Sequence, residues 1–299
     1  MAKEVSSSSI AEIIKNIEQK GKHSSLKKKT VFNDDTAQKL MAMKQPCDVI
    51  PFPVQPSNDK SILPYHILRS ALFGIVKRGA RKEFRVSPES MKGEEIAAYG
   101  SVKIRYSGYQ LDQADLDTWM CCLELIKSHG FGATVHVTPY EMLTTIGRRT
   151  NNESYKWLDK SVRRLNQGTV EIEAGKQSYC GHLIDTFIYD SDRKKFILKI
   201  DTKISQLFSN KSYTFLEREK RKKLKGDLAK WLYGYILSHD TKNNVHCISL
   251  EKIRKLCGSQ SPMRNFKISL QNAIKQLEKE GNEIAKGYIE DGKLYITRL

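Results

Sequence analysis

The sequence predicts an α+β protein built of two tandem winged-helix (helix-turn-helix) domains behind a flexible N-terminal arm. Three observations predict it. Residues 134–174 read in the order strand, helix, polar turn, helix, strand. A second stretch of the same order begins at Val245. The chain is also strongly basic, with 51 Lys and Arg against 34 Asp and Glu, a net charge of +17 and a pI of about 9.5. Such a balance favours a polyanionic partner, either nucleic acid or an anionic membrane surface.

At 299 residues there is room for two ordinary domains. Residues 1–60 read as an arm. They hold the serine run 6–9, a short amphipathic stretch at 10–17, the basic cluster Lys27-Lys28-Lys29, and Pro46, Pro51, Pro53 and Pro56, which forbid a helix where they crowd. The first winged-helix domain is expected over 61–201 and the second over 202–299.

In the first domain, residues 68–73 form the first dense apolar segment, and residues 102–106 alternate as a half-exposed strand. Asp112 or Asp115 then caps a helix whose inner face carries Leu116, Trp119, Met120, Leu123 and Ile126. Residues 134–137 alternate as a strand. Thr138, Pro139 and Glu141 give the next helix a cap, a first-position proline and a capping box, and Gly147 stops it. Past the polar turn 148–152, a second helix buries Tyr155, Leu158, Val162 and Leu165 and ends near Gly168. Residues 169–173 alternate as a strand, and 174–177 read as the wing tip, with strands near 182–189 and 195–201 continuing the sheet.

In the second domain, a short helix starts at Ile204, and residues 217–225 carry six cations against two acids. That charge run reads as a solvated helix face slightly before a DNA contact. Residues 227–238 form a helix, and the reading helix spans about 262–280. Asp291-Gly292 suits a type I′ turn in a closing hairpin. The two winged units are related by a shift of 110 residues through strand and first helix, and of 112 in the reading helix, where Leu158, Val162 and Leu165 become Leu270, Ile274 and Leu277. A two-residue insertion in the turn accounts for the change.

These helices nominate the site. Lys156, Lys160, Arg163 and Arg164 form a stripe opposite the apolar face of the first reading helix, with Arg148, Arg149 and Asn152 at its start and Lys176 on the wing. On the second, Arg264, Lys267, Gln271 and Lys275 follow at spacings of three and four, beside Asn265, with Lys293 on the closing hairpin. Arg can fork to guanine and Gln to adenine, so the second stripe suits base reading as well as phosphate binding. Tyr155, Trp231 and Phe266 read as core.

Other classes find little support. No apolar run approaches the ~20 residues of a membrane helix, and Glu4, Glu12 and Lys15 interrupt any signal-peptide core. The six cysteines form no C-x-x-C pair and read as reduced core thiols. No metal or cofactor is expected. Residues 287–293 match most of a phosphate-binding loop, but Leu294 replaces the required Ser or Thr and a strand follows. A double winged-helix repressor, and more remotely a primase or nuclease, are the alternatives.

Arg69-Ser70-Ala71-Leu72-Phe73, then residues 102–111 (VKIRYSGYQL), Asp117-Thr118-Trp119 within a helix, Tyr140-Glu141-Met142-Leu143 with Gly147, and Leu256-Cys257-Gly258-Ser259 occur in order. In these motifs the chain resembles the plasmid replication initiators of the TrfA type, from about residue 60 to the end. The resemblance implies a non-enzymatic bacterial cytoplasmic protein that binds double-stranded origin DNA at direct repeats, the iterons, and recruits the host initiator and replicative helicase. It also implies two winged-helix domains. Any homodimer is expected to form through the first. The family's clamp-binding peptide is not matched: Gln38-Lys39-Leu40-Met41-Ala42-Met43 lacks its aromatic end, so contact with the sliding clamp is not carried over.

Overall fold

The computed structural model describes residues 49–53, 57, 59–77, 79–175, 177–239, 244–279 and 284–298. Most of the expected arm lies outside them, as do Cys47 and Lys176. The arm's described end, however, is docked. Ile50 and Phe131 exchange backbone hydrogen bonds of 3.1 and 2.9 Å, and Phe52 stacks on Phe131 at 4.8 Å. Burying that ring ties the segment down, so the arm as expected runs too far.

The chain continues through β1 (Lys60–Pro64), the one-turn helix α1 (Tyr65–Leu68), β2 (Phe73–Gly74), β3 (Glu83–Phe84), β4 (Glu94–Ile96), β5 (Lys103–Tyr109) and β6 (Leu111–Asp112). Helix α2 (Gln113–Ile126) begins at a full capping box: the Asp112 carboxylate accepts from the Asp115 backbone, and Asp115 accepts from that of Asp112. Its five expected inner residues are all buried. Next come β7 (Thr134–Val137), α3 (Pro139–Ile146) and α4 (Asn152–Gln167). The Thr138–Glu141 capping box is formed, and Gly147 takes the left-handed conformation (φ 80°) that ends α3 without steric cost.

The wing does not follow directly. The hairpin of β8 (Thr169–Ala174) and β9 (Gln177–His182) joins β5 in another sheet, with Ile104 opposite Ile172, and β3 and β4 pair with β5 in turn. The wing proper is β10 (Thr186–Asp190) with β11 (Lys195–Lys199). It closes on β7, placing Phe196 opposite Val137 and Leu198 opposite Val135. The wing tip expected at 174–177 is therefore corrected to 191–194. Strands 186–190 and 195–199 do not continue the β8–β9 sheet but form their own.

After a 3₁₀ segment (Thr202–Lys211), β12 (Tyr213–Glu217) pairs antiparallel with β1. Helices α5 (Arg218–Lys223) and α6 (Asp227–Leu237) lead to β13 (Val245–Ser249), α7 (Leu250–Leu256), α8 (Met263–Lys279), β14 (Ile284–Glu290) and β15 (Lys293–Arg298). Asp291 (φ 45°) and Gly292 (φ 70°) make the expected type I′ turn.

The two winged units have the same strand order, β10-β11-β7 and β14-β15-β13. Their register is 111 residues, not 110. Thr138 and Ser249 are both N-caps, Gly147 and Gly258 both have positive φ, and the bond from Arg148 N–H to Leu143 O recurs from Ser259 N–H to Arg254 O. Buried Val137 thus matches Ile248, and exposed Val245 matches no core residue of the first unit. The reading helices keep the 112 shift, so the turn gains one residue rather than two. His136 and His246 are not equivalent either. His136 is exposed, while His246 Nε2 lies 3.0 Å from the Tyr235 hydroxyl.

Buried side chains from Phe52 to Ile296 form a single cluster. Cys121, Cys122 and Cys257 are core thiols as expected, whereas Cys180 and Cys247 are exposed.

Candidate nucleic-acid interface

Each reading helix is anchored by one face and open on the other. In α4, Leu158, Val162 and Leu165 are fully buried, and the Asn151 side chain caps the first turn by accepting from Ser154 N–H at 2.9 Å. In α8, Phe266, Leu270, Ala273, Ile274 and Leu277 are buried. The helix also seats on its wing. A Cβ added at Gly287 of β14 would meet Ile274 Cγ2 at 2.7 Å, and Gly287 N–H donates to Glu278 Oε1 at 2.8 Å. Only glycine lets the strand lie this close to the helix.

The open faces carry most of the nominated residues. Arg149, Asn152, Lys156 and Lys160 are exposed in the first unit, as are Arg264, Asn265, Lys267, Gln271 and Lys275 on α8. Lys293 is exposed at the second wing tip. None of their charged groups forms an ion pair with a described residue. Arg148 lies 3.5 Å over the Trp157 ring, which holds its guanidinium at the head of α4. Arg163 is paired with Asp159 at 2.9 Å and lies 5.5 Å from the Phe187 ring centre, yet half its side chain still meets solvent.

Arg164 is a correction. Its guanidinium forks onto Asp115 at 2.6 and 3.1 Å, and its side chain is 12% exposed. Asp115 is fully buried and also engages Arg81 and Ser161. Arg164 therefore braces α4 against α2 and is not free for DNA. Lys176, expected as a wing contact, lies outside the described residues; Ala174 and Gln177 pair with each other across the β8–β9 hairpin. The first wing instead offers Arg193 and Lys194, both exposed. The pairing of residues 195–199 with 134–137 would have pointed to them. Ile268 was also missed: it is 52% exposed on α8, outside the buried spacing, and its side chain suits contact with a thymine methyl.

The charge run at 217–225 is solvated only in part: Glu219, Lys222, Lys223 and Lys225 are exposed, but its two arginines turn inward. Arg221 is 2% exposed and donates to Asp117 at 2.7 Å and to Gln113, while Arg218 pairs with Glu124 at 2.9 Å. Burial works against the Asp117 carboxylate, but Arg221 and Lys230 outweigh it and hold its pKa below the usual range. Helix α5 is thus an ionic joint on α2. Among the described residues no cluster of His, Cys, Asp or Glu could hold a metal, and no helix is long and apolar enough to cross a membrane.

Two winged helix-turn-helix units with exposed cationic reading helices define a double winged-helix DNA-binding protein. Residues 15–298 match the family model described as TrfA protein. The chain belongs to that family, the plasmid replication initiators of the TrfA type. No curated protein matches it. Among solved structures it is similar to domains 2 and 3 of RctB, at 14% identity over 78% of this chain and 96% of that one, with a TM-score of 0.50. This likeness bears on the fold alone. A second RctB structure of the same domains (13% identity, 76% and 95% coverage, TM-score 0.46) and the Pi initiator protein in complex with iteron DNA (14%, 62% and 94%, 0.46) also match.

Proposed function

We propose that this chain initiates plasmid replication by binding direct repeats in double-stranded origin DNA as a monomer, one chain to each repeat. The observation that carries this reading is the pair of exposed reading helices in one chain. Direct repeats lack the dyad that a symmetric dimer would match, and two different helices supply two half-site readers without one. Bound chains would promote opening of the origin and bring in the host initiator and replicative helicase. A homodimer through the first domain would serve self-repression. The role calls for no chemistry by the chain itself, and it places the protein at plasmid origins in the bacterial cytoplasm. The domain limits we propose are 61–201 and 202–299, with β1 and β12 pairing across them.

A plasmid that carries the origin repeats but lacks this gene tests the reading. Supplied in trans, the chain should make it replicate. A repressor without replisome partners would bind the same DNA and leave the plasmid unreplicated.

A further inference from the structure

The segment after β2 belongs to the first half of the chain but lies against the helix-turn-helix of the second. Ile75 N–H donates to Cys257 O at 2.8 Å. The backbones also cross closely, so that a Cβ added at Gly258 would meet Gly74 Cα at 3.5 Å. Between residues 75–80 and the turn 259–262 runs an open cleft of about 560 Å³. Ile75, Val76 and Lys77 line one wall, and Ser259, Pro262 and Asn265 line the other. Asn265 sits in the first turn of α8, the end of a reading helix that usually enters the groove deepest.

The loop is held at both ends. Beyond its tip, Arg81 is bound by Asp112 and Asp115, and Gln110 N–H donates to Lys82 O at 2.8 Å. The tip is turned by a 2.9 Å bond from Ala80 N–H to Lys77 O, with Gly79 at φ 77°. Arg81 is thereby spent on anchoring. Lys77 remains exposed and forms no ion pair with a described residue, and no acid lines the cleft. A wall of hydroxyl and amide groups across from Lys77, the one unpaired cation among the described residues that line the cleft, suits an anionic oxygen. Because Ile75, Arg81 and Lys82 are already tied down, less ordering entropy would oppose that contact.

We infer that the segment carrying Lys77 is a third DNA-contacting element, in which Lys77 holds a backbone phosphate flanking the groove entered by α8. The inference rests on α8 reading DNA. It gives the first half of the chain a direct role in placing the second reading helix, because the loop moves with β2 and α2.

The test uses the full chain and a labelled duplex carrying one direct repeat of its origin. Salt titrations compare the wild type with Lys77→Ala and Arg264→Ala, and phosphate-ethylation interference maps the contacts. Lys77→Ala should keep the wild-type melting temperature, make the salt slope shallower by about one unit, and lose one interfering phosphate beside the α8 half-site. If Arg264→Ala weakens binding while Lys77→Ala keeps slope and interference pattern, the loop contact is overturned. If Arg264→Ala also has no effect, α8 does not read the DNA, and the inference falls with that premise. Loss of a phosphate in the α4 half-site would overturn it too.

Discussion

Replacing Arg164 by alanine should cost stability and leave the salt dependence of DNA binding unchanged. Asp115 is wholly buried and takes two bonds from Arg164, at 2.6 and 3.1 Å. Removing one partner of a buried ion pair costs roughly 3–5 kcal/mol, because the other charge is left without water or partner. Here Arg81 stays on the same carboxylate at 3.0 Å and Ser161 Oγ–H still donates to it at 2.6 Å. The loss should fall at the lower end, about 3 kcal/mol, against a total stability on the order of 5–15 kcal/mol. At roughly 2–4 °C per kcal/mol for a chain of this size, the melting temperature should fall by about 6–12 °C. Urea and thermal unfolding measure it, followed by a salt titration of the folded variant. Lys160→Ala is the counterpart: stability within about 0.5 kcal/mol of wild type, and a salt slope shallower by about one unit. An Arg164→Ala variant that loses under about 1 kcal/mol and yet flattens the slope would refute the assignment of Arg164 to the core.

Lys160→Ala should weaken repeat and random DNA alike, whereas Arg264→Ala or Gln271→Ala should cost roughly 1–3 kcal/mol on the repeat and little on random DNA; the reverse pattern in competition titrations would make α4 the sequence reader. Burial pushes His239 down to about 4, so the unfolded chain takes up the proton first, and the stability present above about pH 6.5 is lost as the pH falls toward 4. His239→Phe should therefore shrink the drop in melting temperature between about pH 7 and pH 5, and an unchanged pH profile would count against this. Asp227 has the opposite sign. Burial, then the nearby Asp112 carboxylate, raise it to about 6, so the folded state loses stability as the pH rises from about 4 to about 6. Asp227→Asn should gain on the order of 1 kcal/mol near neutrality, allowing for solvent screening, and nothing near pH 4; equal gains at both would exclude the cause given.

Local chemistry was legible in the sequence. The Asp112 and Thr138 caps, the Gly147 stop, the Asp291-Gly292 turn and the buried spacing of both reading helices all depend on residues within a few positions of one another. Long-range partners were not. Residues 169–182 make a good hairpin by alternation, and nothing nearby reveals that it pairs with β5 while the wing comes one hairpin later. Arg164 adjoins Arg163 on the helix but also borders the buried stripe, and only the fold brings Asp115, 49 residues earlier, beneath it. Arg221 is one cation in a run of them, and its burial depends on Asp117, 104 residues away. The 110-residue shift sets Val135-His136 against Val245-His246 by identity, one position off the structural register. Pairing partners show which of those residues faces inward.

Iteron binding as proposed requires one chain to present two reading helices to one repeat. The mass of the complex on a duplex carrying a single direct repeat, read by light scattering together with a hydroxyl-radical footprint, tests this most directly. One chain per duplex is predicted, with two protected segments about one helical turn apart. Two chains per repeat, or a single protected segment, would contradict it.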